Sequence, residues 1–149
     1  MISIKLSDHV TLTEFTYSDT AIKHGINNEM SINETAAAKL LCEKVFEPLR
    51  AYLGKPIKLN SGFRSSQLNK FLKSSSSTSQ HCKGEAIDIN VGKIGFDYIK
   101  NNLDFDQLIW EFGNSENPDW VHVSYKKSGN RKQILKASKK NGKTIYTPY

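Results

Sequence analysis

The chain has 149 residues, a length that fits one domain with a hydrophobic core and is too short for two. Its composition, 38% hydrophobic and 24% charged, is typical of a globular protein and excludes a disordered, collagen-like or coiled-coil chain. No apolar run approaches the roughly 20 residues that a membrane-spanning helix needs. We therefore predict a single domain over residues 1–149, without a membrane span, and we expect a monomer.

The positive charge is concentrated at the C-terminal end. Residues 126–149 hold eight Lys and Arg and no Asp or Glu, whereas residues 1–125 hold 13 basic and 15 acidic residues. Such a basic tail either attracts a polyanion, such as nucleic acid, anionic lipid or an anionic cell-wall polymer, or is a solvated face without a partner. Aromatic residues do not alternate with the basic ones as they do in single-stranded nucleic-acid binders, so we expect no specific nucleic acid.

The N-terminal segment and the cysteines bear on the compartment of the protein. Met1–His9 lacks the basic start, the apolar run and the small-residue cleavage site of a secretory signal peptide. We therefore expect that the chain is made in the cytoplasm and carries no export signal of its own. Cys42 and Cys82 do not form a C-x-x-C pair, and we predict that both are free thiols.

The first half of the chain is predicted to be mainly helical. In chain order the predicted elements are an approach segment at Thr11–Phe15, a short helix between Ser18 and Gly25, a long helix between Ser31 and Gly54, a strand at Pro56–Asn60 and a helix at Ser66–Leu72. Ser31 and Glu34 have the spacing of a capping box at the start of the long helix. Pro48 inside this helix predicts a kink, because its ring removes one backbone hydrogen bond.

The second half is predicted to consist mainly of strands. The low-complexity stretch Ser74–Ser77 is predicted to be a surface loop. The predicted elements that follow are strands at Glu85–Val91, Phe105–Phe112 and Trp120–Tyr125, a helix at Ile94–Asn101, and a hairpin of Gln133–Ala137 and Thr144–Tyr146. An Asn-Gly pair lies between the two strands of this hairpin, as is typical of its turn. We predict an α+β fold, with a small antiparallel sheet flanked by helices.

Alternation along two of these strands singles out a carboxylate and an imidazole. Asp88 lies between isoleucines at positions 87 and 89, and His122 lies between valines at positions 121 and 123. Each therefore faces away from the buried side of its strand. If the two strands are neighbours, Asp88 and His122 lie on the same face of the sheet. His81 precedes Asp88 by seven residues, with Gly84 between them, so a turn can bring its imidazole to that face.

Two imidazoles and one carboxylate are a sufficient ligand set for a catalytic zinc ion, with the fourth position left to water. Activated water needs a base for its proton, and Asp119, three residues before His122, is the nearest carboxylate. Single Asp and His residues are also common as structural groups, so on spacing alone both interpretations stay open. His9 and His24 are interpreted as structural.

Three motifs occur in order along the chain: Ser61-Gly-Phe-Arg-Ser65, the S-x-H-x-x-G-x-A-x-D pattern of Ser79–Asp88, and Trp120-Val-His122. Together they resemble zinc peptidases that comprise D-alanyl-D-alanine carboxypeptidases, D-Ala-D-Ala dipeptidases and phage L-alanyl-D-glutamate endopeptidases, which share the hedgehog/DD-peptidase fold. Leu6–Gly25 and Phe105–Ile109 are similar to the compact, phage-associated branch. The resemblance covers about residues 5–135.

The resemblance implies roles for six residues: zinc ligation by His81, Asp88 and His122, acid/base catalysis by Asp119, polarisation of the scissile carbonyl by Arg64, and substrate contact by Ser79. The position of Asp119 is often Glu in the family. The implied reaction is hydrolysis of an amide bond with one zinc ion as cofactor. The implied substrate is the stem peptide of peptidoglycan.

We therefore expect an endolysin-like L-alanyl-D-glutamate endopeptidase of phage or prophage origin. It would be made in the cytoplasm of a bacterial host and reach the wall after holin-type release or as a virion component. Its basic tail is a candidate for contact with anionic wall polymer. One alternative is a D-alanyl-D-alanine carboxypeptidase of the same fold. An alternative of another class is a catalytically inactive, zinc-stabilised wall-binding module, against which the complete set of implied site residues argues.

Overall fold

The computed structural model describes residues 4–72 and 79–149, so the predicted loop at Ser74–Ser77 lies outside the described residues. The α-helices are α1 (Leu12–Thr16), α2 (Asp19–His24), α3 (Ile32–Leu41), α4 (Glu47–Leu53), α5 (Ser66–Phe71) and α6 (Gly92–Asn102). Within these described ranges, no helix is long and apolar enough to cross a membrane. The predicted approach segment forms a short strand and α1, because Thr11 and Glu14 form a capping box.

The strands of the described residues form two sheets. Their bounds are β1 (Lys5–Ser7), β2 (Val10–Thr11), β3 (Leu59–Ser61), β4 (Ala86–Ile89), β5 (Gln107–Glu111), β6 (Trp120–Ser124), β7 (Gln133–Lys140) and β8 (Lys143–Pro148). The strands β1 and β2 pair with each other, and the other strands form one sheet in the order β3-β4-β6-β5-β7-β8. The predicted α+β class is confirmed. The larger sheet is mixed rather than wholly antiparallel, because β5 and β7 run parallel.

The long predicted helix is interrupted before its proline. Its capping box is present, since Glu34 N–H donates to Ser31 Oγ and Ser31 N–H donates to Glu34 Oε1. Between α3 and α4 the chain forms a π-helical turn, Cys42–Phe46, in which Glu47 N–H donates to the Cys42 carbonyl. Pro48, the second residue after this turn, has no backbone N–H to donate, and the wider turn makes room for its ring. The predicted disruption at Pro48 thus takes the form of a π turn.

The basic residues 126–149 do not form a separate tail, because they complete the sheet. The connection from β6 to β7 passes around the start of β5, where Asp106 is buried. Arg131 donates to the Asp106 carboxylate from its backbone N–H, Nε and Nη2 at 2.8 to 3.0 Å. This anchor places β7 beside β5 and β8 at the edge of the sheet.

The hydrophobic core lies on one face of the larger sheet, under the helices. Alternate residues of the three central strands are fully or almost fully buried there: Ile87, Ile89, Leu108, Trp110, Val121 and Val123. They belong to the same cluster as residues of α3, α4 and α6, such as Leu41, Leu49 and Phe96. Because side chains alternate along a strand, the residues between them point to the opposite face of the sheet. The candidate site lies on that opposite face.

Both predicted free cysteines and one predicted structural histidine have the expected surroundings. Cys42 and Cys82 are free, and Cys42 is buried. His9 Nδ1 lies 2.6 Å from Glu47 Oε1, and Ser7 Oγ donates to the same carboxylate at 2.6 Å. These contacts attach the β1-β2 hairpin to the start of α4, which is a structural role for His9.

Candidate metal centre

Asp88 and His122 lie opposite each other on neighbouring strands. β4 and β6 pair antiparallel, and Asp88 is in register with His122. His122 Nδ1 lies 3.0 Å from Asp88 Oδ1. The condition set from the sequence, that the two strands are neighbours, is therefore met.

A short helical turn brings His81 to the same place. This turn, Gln80–Lys83, is a 3-10 helix that begins after Ser79, whose Oγ accepts a hydrogen bond from His81 N–H. Gly84 ends the turn with a φ of +74°, and a Cβ there would lie 2.4 Å from the Glu34 carbonyl oxygen. Glycine is therefore required at this position, both for its backbone angle and for the close approach of α3.

The His81 ring is held in one orientation. Its Nδ1 lies 2.7 Å from the carbonyl oxygen of Gly62, and because a carbonyl can only accept, Nδ1 must carry the proton. In the neutral ring, Nε2 then presents its lone pair, and this atom lies 3.3 Å from Asp88 Oδ1. A backbone carbonyl that fixes the tautomer of a histidine is a recurrent feature of metal-binding sites.

The three side chains fit a metal ion. One ligand atom from each of His81, Asp88 and His122 lies within 4.8 Å of the other two. His81 Nε2 is buried and has no hydrogen-bond partner among the described residues, which is costly unless another group satisfies it. Burial lowers the pKa of His81 and favours the neutral imidazole that binds metals. Although burial alone would raise the pKa of Asp88, the two neighbouring histidines hold it below its ordinary value.

The motif Ser61–Ser65, which contains Arg64, packs against the turn that carries His81. A Cβ on Gly62 would lie 2.4 Å from the Phe15 carbonyl oxygen, so glycine permits the close approach of α1. Arg64 N–H donates to the His81 carbonyl at 3.1 Å, while His81 donates to Gly62 in return. Two hydrogen bonds thus join the two motifs, and the Arg64 side chain lines the cavity beside the metal candidates.

A cavity of about 890 Å³ opens at this centre. Of the six residues singled out from the sequence, five line it: Arg64, Ser79, His81, Asp88 and His122. Asp119 is not among the described residues that line it. Asp119 is exposed in the turn before β6 and lines a separate depression with Phe112 and Lys139. Its predicted role as acid/base stays a prediction.

Glu111 is a carboxylate of this cavity that the sequence analysis did not single out. In register, Ile109 pairs with His122 and Glu111 pairs with Trp120, so Glu111 points to the same face as His122. Glu111 is only 6% exposed, and this burial raises the pKa of its carboxyl group to about 7. The signal was present in the alternation of β5, which leaves Ile109 and Glu111 on the face opposite to the core.

The family described as peptidase M15 matches residues 8–124 of the chain. No curated protein matches the chain. The matched segment contains all three motifs and the whole His81, Asp88 and His122 group, and it extends over more than half of the chain. The chain therefore belongs to the peptidase M15 family.

Proposed function

We propose that this protein is a zinc-dependent peptidase of peptidoglycan, acting on the stem peptide as an endolysin-like L-alanyl-D-glutamate endopeptidase of phage or prophage origin. Membership of the peptidase M15 family supports a metallopeptidase. The observation that carries the proposal is the grouping of His81, Asp88 and His122 inside a cavity that also contains Arg64 and a buried carboxylate. The phage assignment rests on the similarity of Leu6–Gly25 and Phe105–Ile109 to that branch.

His81, Asp88 and His122 would hold the zinc ion on which M15 peptidases depend. When bound, zinc supplies Lewis-acid activation of water and of the peptide carbonyl. The Gly62 carbonyl keeps His81 in the tautomer that can bind it. The buried face of the sheet keeps Asp88 and His122 in fixed positions, since their strand neighbours are part of the core.

Arg64 and Glu111 supply the remaining chemistry. The guanidinium of Arg64 offers several donors to the negative charge that develops on the carbonyl oxygen during attack. Glu111, with a pKa of about 7, is near the optimum for a group that takes a proton from water and returns it to the leaving amine. We therefore place the general base at Glu111, and Asp119 is the competing assignment.

Basic side chains at the cavity can contact a carboxylate of the substrate. Lys83 lines the cavity in addition to Arg64, whereas Lys126 and Arg131, which also line it, form ion pairs with Asp106. A D-glutamate residue offers a carboxylate to such a surface, and so does the free C-terminus of a D-alanyl-D-alanine stem. A D-alanyl-D-alanine carboxypeptidase is therefore the second candidate function.

The test is digestion of purified peptidoglycan, with mass spectrometry of the products. We expect wild type to release new L-Ala-terminated and D-Glu-starting fragments, and we expect chelation or His122→Ala to abolish them. His24→Ala, at an exposed histidine, is the matched control and should retain activity. Release of free D-Ala instead would favour the carboxypeptidase. Stoichiometric zinc without cleavage of any peptide bond would leave only the inactive wall-binding module.

A further inference from the structure

The C-terminal hairpin contributes to the cavity although it lies outside the segment that matches the family. The family match ends at residue 124, whereas β7 and β8 begin at Gln133 and Lys143. Three residues of this hairpin line the same cavity as the metal candidates: Gln133, Leu135 and Tyr146. The cavity therefore has one wall that the family motifs do not describe.

Strand register directs Tyr146 toward the centre of the site. Glu111 of β5 pairs with Ala137 of β7, and Ala137 pairs with Tyr146 of β8. Side chains at paired positions lie on the same face of a sheet. Glu111 and Tyr146 are therefore two strands apart, about 10 Å between their backbones, and the residue between them carries only a methyl group.

The surroundings of the Tyr146 phenol agree with this placement. Burial, reinforced by the negative charges of Glu111 and Asp88, raises the pKa of Tyr146. The phenol thus keeps its proton at neutral pH and is a hydrogen-bond donor. The side chain is also accessible, because Tyr146 is 55% exposed. It is therefore open to contact with a bound molecule.

We propose that Tyr146 is a substrate-contacting residue, whose phenol donates a hydrogen bond to a carbonyl or carboxylate oxygen of the peptide held beside Glu111. This inference rests on the proposed function, because the peptide is the substrate named there. It adds a residue from outside the family match, and it assigns to the C-terminal hairpin a role in recognition.

Tyr149 provides a matched control in the same hairpin. Its ring packs against Phe96 and Trp110, with centroids 4.9 and 6.0 Å away, on the face of the sheet that carries the core. Tyr149 does not line the cavity that Tyr146 lines. Tyr149→Phe therefore removes the same hydroxyl group from the same hairpin without altering the site.

The experiment compares Tyr146→Phe with Tyr149→Phe in the full chain loaded with zinc. We expect Tyr146→Phe to lower kcat/KM for a stem peptide by about 10-fold, the effect of one lost hydrogen bond, without a change in zinc content or Tm. Peptide affinity, measured by calorimetry in the Glu111→Gln background, should fall by a similar factor. Tyr149→Phe should change neither quantity.

Each outcome separates this inference from the proposed function. An active wild type with unchanged kcat/KM and peptide affinity in Tyr146→Phe overturns the role of Tyr146 and leaves the peptidase in place. If wild type is inactive but Tyr146→Phe still lowers the peptide affinity, the contact is supported and the proposed peptidase activity is overturned. A wild type that neither cleaves nor binds the peptide overturns both.

Discussion

Two carboxylates at the ends of one turn have opposite surroundings. Glu111 ends β5 and Asp119 precedes β6, and Asp119 N–H donates to the Glu111 carbonyl at 2.9 Å. The Glu111 side chain is buried in the cavity with His122, whereas Asp119 is exposed and lines a separate depression. Asp119 is closer to His122 along the chain, but Glu111 lies on the same face of the sheet as His122. Which carboxylate lies beside His122 is therefore decided by the face of the strand it occupies, and not by its distance from His122 along the sequence.

Replacing each carboxylate by its amide tests this difference directly. Glu111→Gln should lower kcat by about 10²- to 10⁴-fold, because it removes the proposed general base, while Asp119→Asn should lower kcat by less than about 10-fold. Wild-type activity should rise as the pH increases through about 7, the pKa of Glu111, because the deprotonated carboxylate accepts the proton. Steady-state kinetics across pH measures both effects.

The two variants act as controls for each other, since each removes one carboxyl charge from the same turn. Zinc content should be equal in both. A large loss in Asp119→Asn together with an active Glu111→Gln would reverse the comparison and return the acid/base role to Asp119.

The hydrogen bonds between Arg131 and Asp106 hold the C-terminal hairpin beside β5, the strand that carries Glu111. Burial alone would raise the pKa of Asp106, but the hydrogen bonds from Arg131 lower this pKa to about 2. This carboxylate should therefore stabilise the fold above its ordinary pKa of about 4, with the stabilisation lost as the pH falls toward 2. Asp106→Asn should reduce the free energy of unfolding at neutral pH by about 2 kcal/mol, because it weakens the charge-assisted hydrogen bonds between this buried carboxylate and the half-exposed Arg131.

Denaturant unfolding at several pH values measures this effect. Asp104→Asn, which removes an exposed carboxylate two residues away, is the control and should change stability by less than about 1 kcal/mol. Equal stability of Asp106→Asn and wild type at neutral pH would show that the hairpin does not depend on this anchor.

A basic surface lies beside Asp119. The depression there is lined by Lys136 and Lys139, so we expect this basic surface, rather than a free tail, to contact anionic wall polymer. Lys136→Glu with Lys139→Glu should weaken binding to intact sacculi by a few-fold at low salt, and the difference should shrink at high salt because ions screen the attraction. Hydrolysis of a short stem peptide should not change.

A pull-down of sacculi at two salt concentrations measures this binding. The control is a double charge reversal at two exposed lysines of the helical layer, Lys39→Glu with Lys44→Glu. Equal losses in the two double variants would indicate a general effect of net charge rather than a surface on β7. Truncation before Lys126 is unsuitable, because it would remove two strands of the sheet.

Local patterns in the sequence predicted much of the molecule. The Ser31 capping box, the α2 helix before Gly25 and the hairpin around Asn141-Gly142 depend on neighbouring residues and appear where they are predicted. Alternation on β4 and β6 placed Asp88 and His122 on one face, and the motifs added His81. Such features are predictable because a cap or a strand face is determined within a few residues.

The sequence alone thus determined most of the elements, the family motifs and the three candidate metal ligands. Only the tertiary structure decided that β7 lies parallel to β5, that Glu111 rather than Asp119 lies in the cavity, and that Tyr146 comes from the edge strand to the same face. These features depend on which strands pair and on the buried anchor at Asp106, contacts between residues distant along the chain. No local periodicity encodes such pairing, because its stability comes from core packing and long-range hydrogen bonds.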